Sequence, residues 1–131
     1  MNSGRIDVVL DSSAVLAMVR SERGHEEVAH VIAHSLVSVV NEAEVISVLI
    51  QKGDSVVMAL DAVRALPYTP VVLDQQLARR AGSLWRDFKP RGLSLGDRCC
   101  LALAERERLP VLTSDKRWTD IPIGVEVRLF R

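Results

Sequence analysis

The stretch that decides the fold is Ile6-Asp7-Val8-Val9-Leu10-Asp11-Ser12-Ser13-Ala14-Val15-Leu16-Ala17-Met18-Val19-Arg20. Ile6 to Leu10 is a short β-branched run, the composition of a buried strand. It ends at Asp11-Ser12-Ser13, three residues of the helix-capping type, and Ala14 to Arg20 follows with helix-compatible residues. A strand that runs through a cap straight into a helix is the opening unit of an α/β fold.

The same grammar recurs along the chain. Gly24 breaks it, and His25 to His34 sets Val28, Val31 and Ile32 at helical spacing. Leu36 to Val39 reads as a second strand. Val40 to Gln51 (VNEAEVISVLIQ) is apolar almost all the way round, the pattern of a buried helix. Asp54 to Leu66 reads as a helix closed by Pro67, Thr69 to Leu73 as a third strand, and Asp74 to Phe88 as one long basic helix. Lys89-Pro90-Arg91-Gly92 is a loop signal. Ser94 opens a helix running to about Arg108, Pro110 to Thr113 is a fourth strand, and Val125 to Leu129 a fifth. Short apolar strands alternating with helices require parallel pairing through crossovers. The expectation is one domain over 1–131, a three-layer α/β/α sandwich around a mostly parallel sheet of four to five strands.

Composition narrows the function classes. In 131 residues, 48% are hydrophobic and 17 basic side chains balance 17 acidic ones. A chain of this size buries an ordinary core without metal or disulfide staples. Zero net charge excludes indiscriminate gripping of polyanions. The balance hides an asymmetry: residues 1–78 carry five basic side chains against ten acids, and residues 79–131 carry twelve against seven. Cys99 and Cys100 are adjacent, too strained a geometry for a bridge within a helix, and read as buried thiols of a reducing cytoplasm. No run approaches the roughly 18 apolar residues of a membrane span, and the Val8-Val9-Leu10 run is too brief and too acid-flanked for a secretory signal.

In a parallel sheet, ligands sit beyond the carboxyl ends of the strands. Asp11 ends the first strand and Asp115 lies two residues past the fourth, which places both at one edge. Each is equally an N-cap candidate. Asp97, in Ser94-Leu95-Gly96-Asp97, fits a capping box as well as a metal ligand, and both roles need it ionised. Glu42 and Glu44 stand in the apolar helix, where an unpaired acid is costly. At 100° per residue, Glu44 shares a face with Asn41 and Ser47, whereas Glu42 falls beside Val45, Ile46 and Leu49. Glu44 is therefore the better candidate for a polar site. Clustered carboxylates raise one another's pKa unless a cation is present, and an all-oxygen donor set suits Mg2+ or Mn2+. Such an ion supports hydrolysis of phosphodiesters.

The series Val9-Leu10-Asp11-Ser12-Ser13-Ala14, Val40-Asn41-Glu42-Ala43-Glu44, Leu93-Ser94-Leu95-Gly96-Asp97-Arg98 and Leu112-Thr113-Ser114-Asp115 resembles the PIN-domain ribonucleases, and among them the VapC toxins of bacterial toxin–antitoxin pairs. The resemblance spans nearly the whole chain, and Leu-Ser-Leu-Gly-Asp-Arg is its most specific part. It implies an acidic quartet of Asp11, Glu44, Asp97 and Asp115, with Ser13 and Asn41 in support. It implies one or two Mg2+ or Mn2+ ions, held in part by Asp11, Asp97 and Asp115, and a water nucleophile that leaves 5′-phosphate and 3′-hydroxyl ends. It further implies an RNA substrate, a homodimer, and a cognate antitoxin whose tail covers the acids, with the apolar faces of residues 14–60 as a possible seat. Asp120 is an extra acid without an assigned role.

Beside the quartet, Arg79, Arg80, Arg86, Lys89, Arg91 and Arg98 make a basic stretch suited to RNA phosphates, with Trp85 or Trp118 as stacking surfaces or core anchors. The histidines do not make a zinc site: His25 and His30 are one residue too far apart for the zincin spacing, and His30 and His34 lack a third ligand nearby. Two other readings stand against the nuclease. One is a receiver-like phosphoacceptor domain, which would pair two acids at the first strand end, where this chain has Asp11 followed by serines. The other is a non-catalytic PIN-like module that binds RNA or protein.

Overall fold

The computed structural model describes residues 4–88 and 92–131, and the side chains of 87 and 88 are not among what it describes. Lys89, Pro90 and Arg91 lie outside the described residues, and with them most of the expected loop and the RNA-binding reading of Arg91.

Five strands, β1 Val8–Leu10, β2 Ser35–Ser38, β3 Thr69–Val71, β4 Val111–Thr113 and β5 Val127–Leu129, form one sheet in the order β3-β2-β1-β4-β5. Every neighbouring pair is parallel, with Val9 opposite both Leu36 and Val111. From β1 the chain steps outward through β2 to β3, then crosses back to place β4 on the other side of β1. The strand order therefore reverses between β1 and β4, and a crevice opens at their carboxyl ends.

Alternation along β1 assigns the two faces. Val8 and Leu10 point into a core shared with Ala14, Val15 and Ala17 of α1 (Ser12–Arg20), Val28 of α2 (His25–Val31), Val45 and Leu49 of α3 (Val39–Gln51), and Ala59 and Val63 of α4 (Val56–Arg64). Val9 points the other way, with Leu36 and Val111, against Leu77 and Ala81 of α5 (Gln75–Ser83) and the stretch Cys99 to Ala104. That stretch belongs to α7 (Leu95–Glu107), which is buried over two successive turns; both of its cysteines are free. A parallel sheet covered on both faces is the three-layer sandwich that the strand–helix alternation implies.

Three local expectations are corrected. Val39 belongs to α3 rather than to β2, because the Ser38 side chain accepts the Val40 N–H and caps the helix one residue earlier. The expected single helix over Asp74 to Phe88 is two, α5 and α6 (Trp85–Phe88), parted at fully buried Leu84 after the Ser83 hydroxyl turns back onto the Arg80 carbonyl. And α3 is not buried all round: only Asn41, Val45 and Leu49, one stripe at i, i+4, i+8, are fully enclosed, and Ile50 is 38% exposed. An apolar period reports that a face is covered by something; it does not report that the cover is this chain's own core.

Candidate active site

Asp11 follows β1 and is the N-cap of α1, accepting the Ala14 N–H through Oδ1 at 3.0 Å. Capping leaves room for more. Ser13 Oγ donates to the same oxygen at 2.6 Å, and Thr113 Oγ1, at the end of β4, donates to Oδ2 at 2.6 Å. Those hydroxyls are in turn acceptors: Ser13 Oγ receives the Ser114 N–H, and Thr113 Oγ1 the Asp115 N–H, each at 3.0 Å. Two hydroxyl bridges thus lock the first helix start to the loop after the fourth strand. The geometry of Asp115 is tied to that of Asp11 from the neighbouring strand.

Asp97 stands at the third position of α7 in a complete capping box: Ser94 Oγ accepts its N–H at 3.1 Å, and its Oδ2 accepts the Ser94 N–H at 3.0 Å. Asp115 opens a short 3-10 turn, Lys116–Trp118, and accepts the Arg117 N–H at 2.9 Å. Capping and site-building are therefore not alternatives at Asp11, Asp97 or Asp115. The caps consume some lone pairs of each carboxylate and fix its direction, and all three acids line one cleft.

Glu44 reaches the crevice from α3. Its Oε1 accepts from Ser12 Oγ at 2.6 Å and from Asn41 Nδ2 at 3.0 Å. The same amide nitrogen lies 3.1 Å from Ser12 Oγ and 3.2 Å from the Gly96 carbonyl oxygen, so its two hydrogens are shared among three acceptors. Gly96 is what admits Glu44 here. A β-carbon at that position would lie 2.2 Å from one Glu44 carboxylate oxygen and 2.3 Å from the other. Glu42, two residues earlier, points elsewhere and accepts from Tyr68 Oη at 2.5 Å.

The result is an open cleft of about 720 Å³ whose walls include Asp11, Ser13, Glu44, Asp97 and Asp115. Its electrostatics are unbalanced. Burial pushes the Asp11 carboxyl up to about 6, against the hydrogen bonds from Ser13, Thr113 and Ala14, and the charge of Asp97 adds to the rise. Asp97 is raised as well, first by burial and then by Glu44 and Asp115, with the Ser94 bonds opposing. Asp115 is lowered, because Arg117 grips it. Arg117 Nε lies 3.0 Å from Oδ1 and Nη2 lies 2.6 Å from Oδ2.

Lys116 and Arg117 line the cleft, two cations whose one signal in the sequence is their adjacency to a strand-end acid. The arginines of the basic stretch are placed differently. Arg80 forms a two-pronged pair with Glu105 at 2.7 and 2.8 Å, joining α5 to α7. Arg98 stacks over the Trp85 ring at 5.5 Å and donates to the Ala81 carbonyl at 3.0 Å. Arg79 is exposed on α5. Neither Arg79, Arg80, Arg86 nor Arg98 lines the acidic cleft. Of the two readings of the tryptophans, Trp118 is fully buried and is a core anchor, and Trp85 is half exposed. Asp74 caps α5 and pairs with Arg106, in a role apart from the cleft. No helix among the described residues is long and apolar enough to cross a membrane.

A carboxylate-lined crevice at the strand-order reversal of a parallel α/β sheet lies where proteins of this architecture bind their ligands. The chain belongs to the PIN domain family, whose profile matches residues 8–124. Solved structures share the fold over nearly their whole length. A chain of a toxin–antitoxin complex from Klebsiella pneumoniae is 22% identical, with 95% of this chain and 98% of that one covered and a TM-score of 0.73. A chain of the DNA-bound VapBC of Salmonella typhimurium is 17% identical over 96% and 99%, with a TM-score of 0.77. VapC20 of Mycobacterium tuberculosis, described as a Sarcin-Ricin loop cleaving toxin, is 13% identical over 92% and 99%, with a TM-score of 0.72. No curated protein matches the chain.

Proposed function

We propose that this PIN-domain protein is a divalent-metal-dependent endoribonuclease and the toxin of a toxin–antitoxin pair. The observation that carries the reading is the convergence of Asp11, Glu44, Asp97 and Asp115, from four separate elements, on one cleft where Asp11 and Asp97 have too little compensating charge. The donor set fits Mg2+ or Mn2+: all donors are carboxylate oxygens, and the raised affinity of Asp11 and Asp97 for protons is what a bound cation relieves. Among the described residues no three acids converge closely enough to hold an ion as they stand. Asp11, Asp97 and Asp115 would hold it. When bound, the ion supplies Lewis-acid activation of the phosphodiester and of an attacking water.

The chain's own residues do the rest. Ser13 and Thr113 hold Asp11 in one orientation, Ser12 and Asn41 hold Glu44 by Oε1, and the Ser94 box holds Asp97. Lys116, exposed at the rim, draws the RNA backbone towards the acids. Arg79 extends the basic surface on α5, whereas Arg80, Arg86 and Arg98 have intramolecular partners. For a protein partner, Val56, Val57 and Met58 of α4 are 56, 67 and 59% exposed, and Ile50 is exposed on the neighbouring helix. A patch of this kind on a small protein marks an interaction surface, here for a cognate antitoxin or a second copy.

Incubation of labelled RNA with the purified protein, with and without Mg2+ or Mn2+, is the decisive test. Cleavage is expected only with metal, and its persistence in excess chelator, or in both Asp11→Asn and Asp97→Asn, overturns the reading. Growth arrest on expression, relieved by a co-expressed antitoxin from the adjacent gene, tests the toxin role separately.

A further inference from the structure

Trp85 is 51% exposed, whereas Trp118, the only other tryptophan, is fully enclosed. A single exposed apolar side chain is ordinary in a soluble protein. This one is held in place. The Arg98 guanidinium lies 5.5 Å from the ring centroid, within cation–π reach. Arg98 Nη1 donates to the Ala81 carbonyl at 3.0 Å, while its buried Nε has no partner among the described residues. The guanidinium forgoes a hydrogen bond where it stands, and the ring contact and the Ala81 carbonyl compensate. Leu84, just before the indole, is fully buried and ties down the start of α6. The indole is thus a large aromatic face fixed by its backbone and by the cation against it, which reduces the entropy lost when something lands on it.

Helix direction sets where that face lies. Arg106 of α7 reaches Asp74 at the start of α5, and Arg98 reaches Ala81 near its end, so α5 and α7 run in opposite directions. The end of α5, with α6 after it, therefore lies beside the start of α7, where Asp97 lines the cleft. Arg98 is the next residue. The indole stands one arginine side chain away from the cleft wall, beside the cleft rather than in it. The local sequence is strongly cationic: residues 79–98 hold six basic side chains against Asp87 and Asp97. An aromatic face in cationic surroundings suits single-stranded nucleic acid, whose bases stack and whose phosphates are anionic. An apolar peptide would gain from the ring and not from the charge.

We propose that Trp85, with Arg98 against it, is a base-stacking subsite for single-stranded RNA beside the acidic cleft, and that it favours a purine. The proposal rests on the ribonuclease reading above and adds to it a contact that selects among bases. One unpaired base lies on the indole while the backbone of the same strand enters the cleft. A purine covers more of the ring than a pyrimidine does, so stacking strength alone sets the preference.

The test is fluorescence anisotropy of short labelled oligo(A) and oligo(U) RNAs in excess chelator, where bound metal cannot carry the affinity, with wild type, Trp85→Phe and Trp85→Ala over a range of salt. Wild type is expected to bind oligo(A) more tightly than oligo(U). Trp85→Ala is expected to bind oligo(A) about tenfold more weakly, the size of one base stacked on an aromatic ring, and to lose the preference. Trp85→Phe, which keeps a smaller aromatic face, is expected to fall between. The slope of log affinity against log salt is expected to stay the same in both variants, since no charge is removed. Oligo(A) binding by Trp85→Ala within about twofold of wild type overturns the subsite, and an equal loss for both RNAs overturns the purine preference. Absence of RNA binding by wild type also overturns the subsite, and cleavage of RNA with Mn2+ by the same preparation then decides the ribonuclease reading separately. Loss of self-association by Trp85→Ala with RNA affinity kept, read by analytical ultracentrifugation, assigns the ring to a second copy of the chain and overturns the proposal.

Discussion

The face where α5 packs on α7 and the cleft at the end of β1 both concentrate charge, and they treat it in opposite ways. On the helical face, Asp74 and Glu105 are held below their ordinary range, first by the Leu77 backbone N–H and by Arg80 respectively, and Asp74 also by Arg106. In the cleft, Asp11 and Asp97 are pushed up by burial that their hydrogen bonds do not fully offset. The first region spends its charges on joining elements. The second gathers its acids on one cleft at a cost in stability, the arrangement that the proposed cation would relieve.

That contrast breaks most sharply at the proposed ligands. Asp11→Asn and Asp97→Asn are each expected to lower RNA cleavage by about three orders of magnitude, ~4 kcal/mol of transition-state stabilisation, measured as single-turnover rates in Mn2+. A residual rate within tenfold of wild type counts against the cleft as the active site.

The next effect is on stability, and its sign separates the two regions. Asp11 titrates near 6 in the fold against 3.8 in the unfolded chain, so between those values the folded state binds more protons. Stability of the metal-free protein therefore falls as pH rises from about 4 to about 6, by on the order of 2–3 kcal/mol from this group. Asp11→Asn is expected to remove that slope and raise Tm at pH 8 while abolishing cleavage. A lower Tm for the variant at pH 8 denies that the buried charge is a burden. Glu105→Gln on the helical face acts the other way. It loses an exposed pair and costs at most about 1 kcal/mol, readable by urea denaturation.

Gly96→Ala sharpens the geometry. Its β-carbon would displace the Glu44 carboxylate, the far end of a flexible side chain, and the expected outcome is a ~10- to 100-fold loss of cleavage with a stability change of no more than about 1 kcal/mol. Wild-type rates would mean that Glu44 need not sit where it does. The smallest expected change is in salt dependence: Lys116→Gln should reduce the slope of log affinity for RNA against log salt by about one.

Much of this molecule is readable from local signals. Ile6 to Arg20 announces strand, cap and helix because β-branched residues, then short polar ones, then helix formers each bias their own backbone. The preference for Glu44 over Glu42 follows from helical periodicity, since Asn41 and Ser47 share its face. What local signals leave out has one cause in common. α3 reads as enclosed because hydrophobic periodicity does not say what covers a face, and its Ile50 and the adjoining α4 surface stay open. The basic stretch is legible as a list of arginines, and the list does not show that Arg80 pairs with Glu105 and Arg98 stacks on Trp85.

The sequence by itself determined the order of strands and helices, the parallel sandwich, the positions of Asp11, Asp97 and Asp115 at element starts and the face of α3 that carries Glu44, because caps, strand ends and helix faces are set by neighbours within a few residues. Only the tertiary structure decided which acids are compensated and which are not. Thr113 reaching Asp11 across 102 residues, Gly96 making room for Glu44, and Arg117 gripping Asp115 beside them are relations of distance in space. Electrostatic balance depends on those distances and on burial, and neither is written in local sequence.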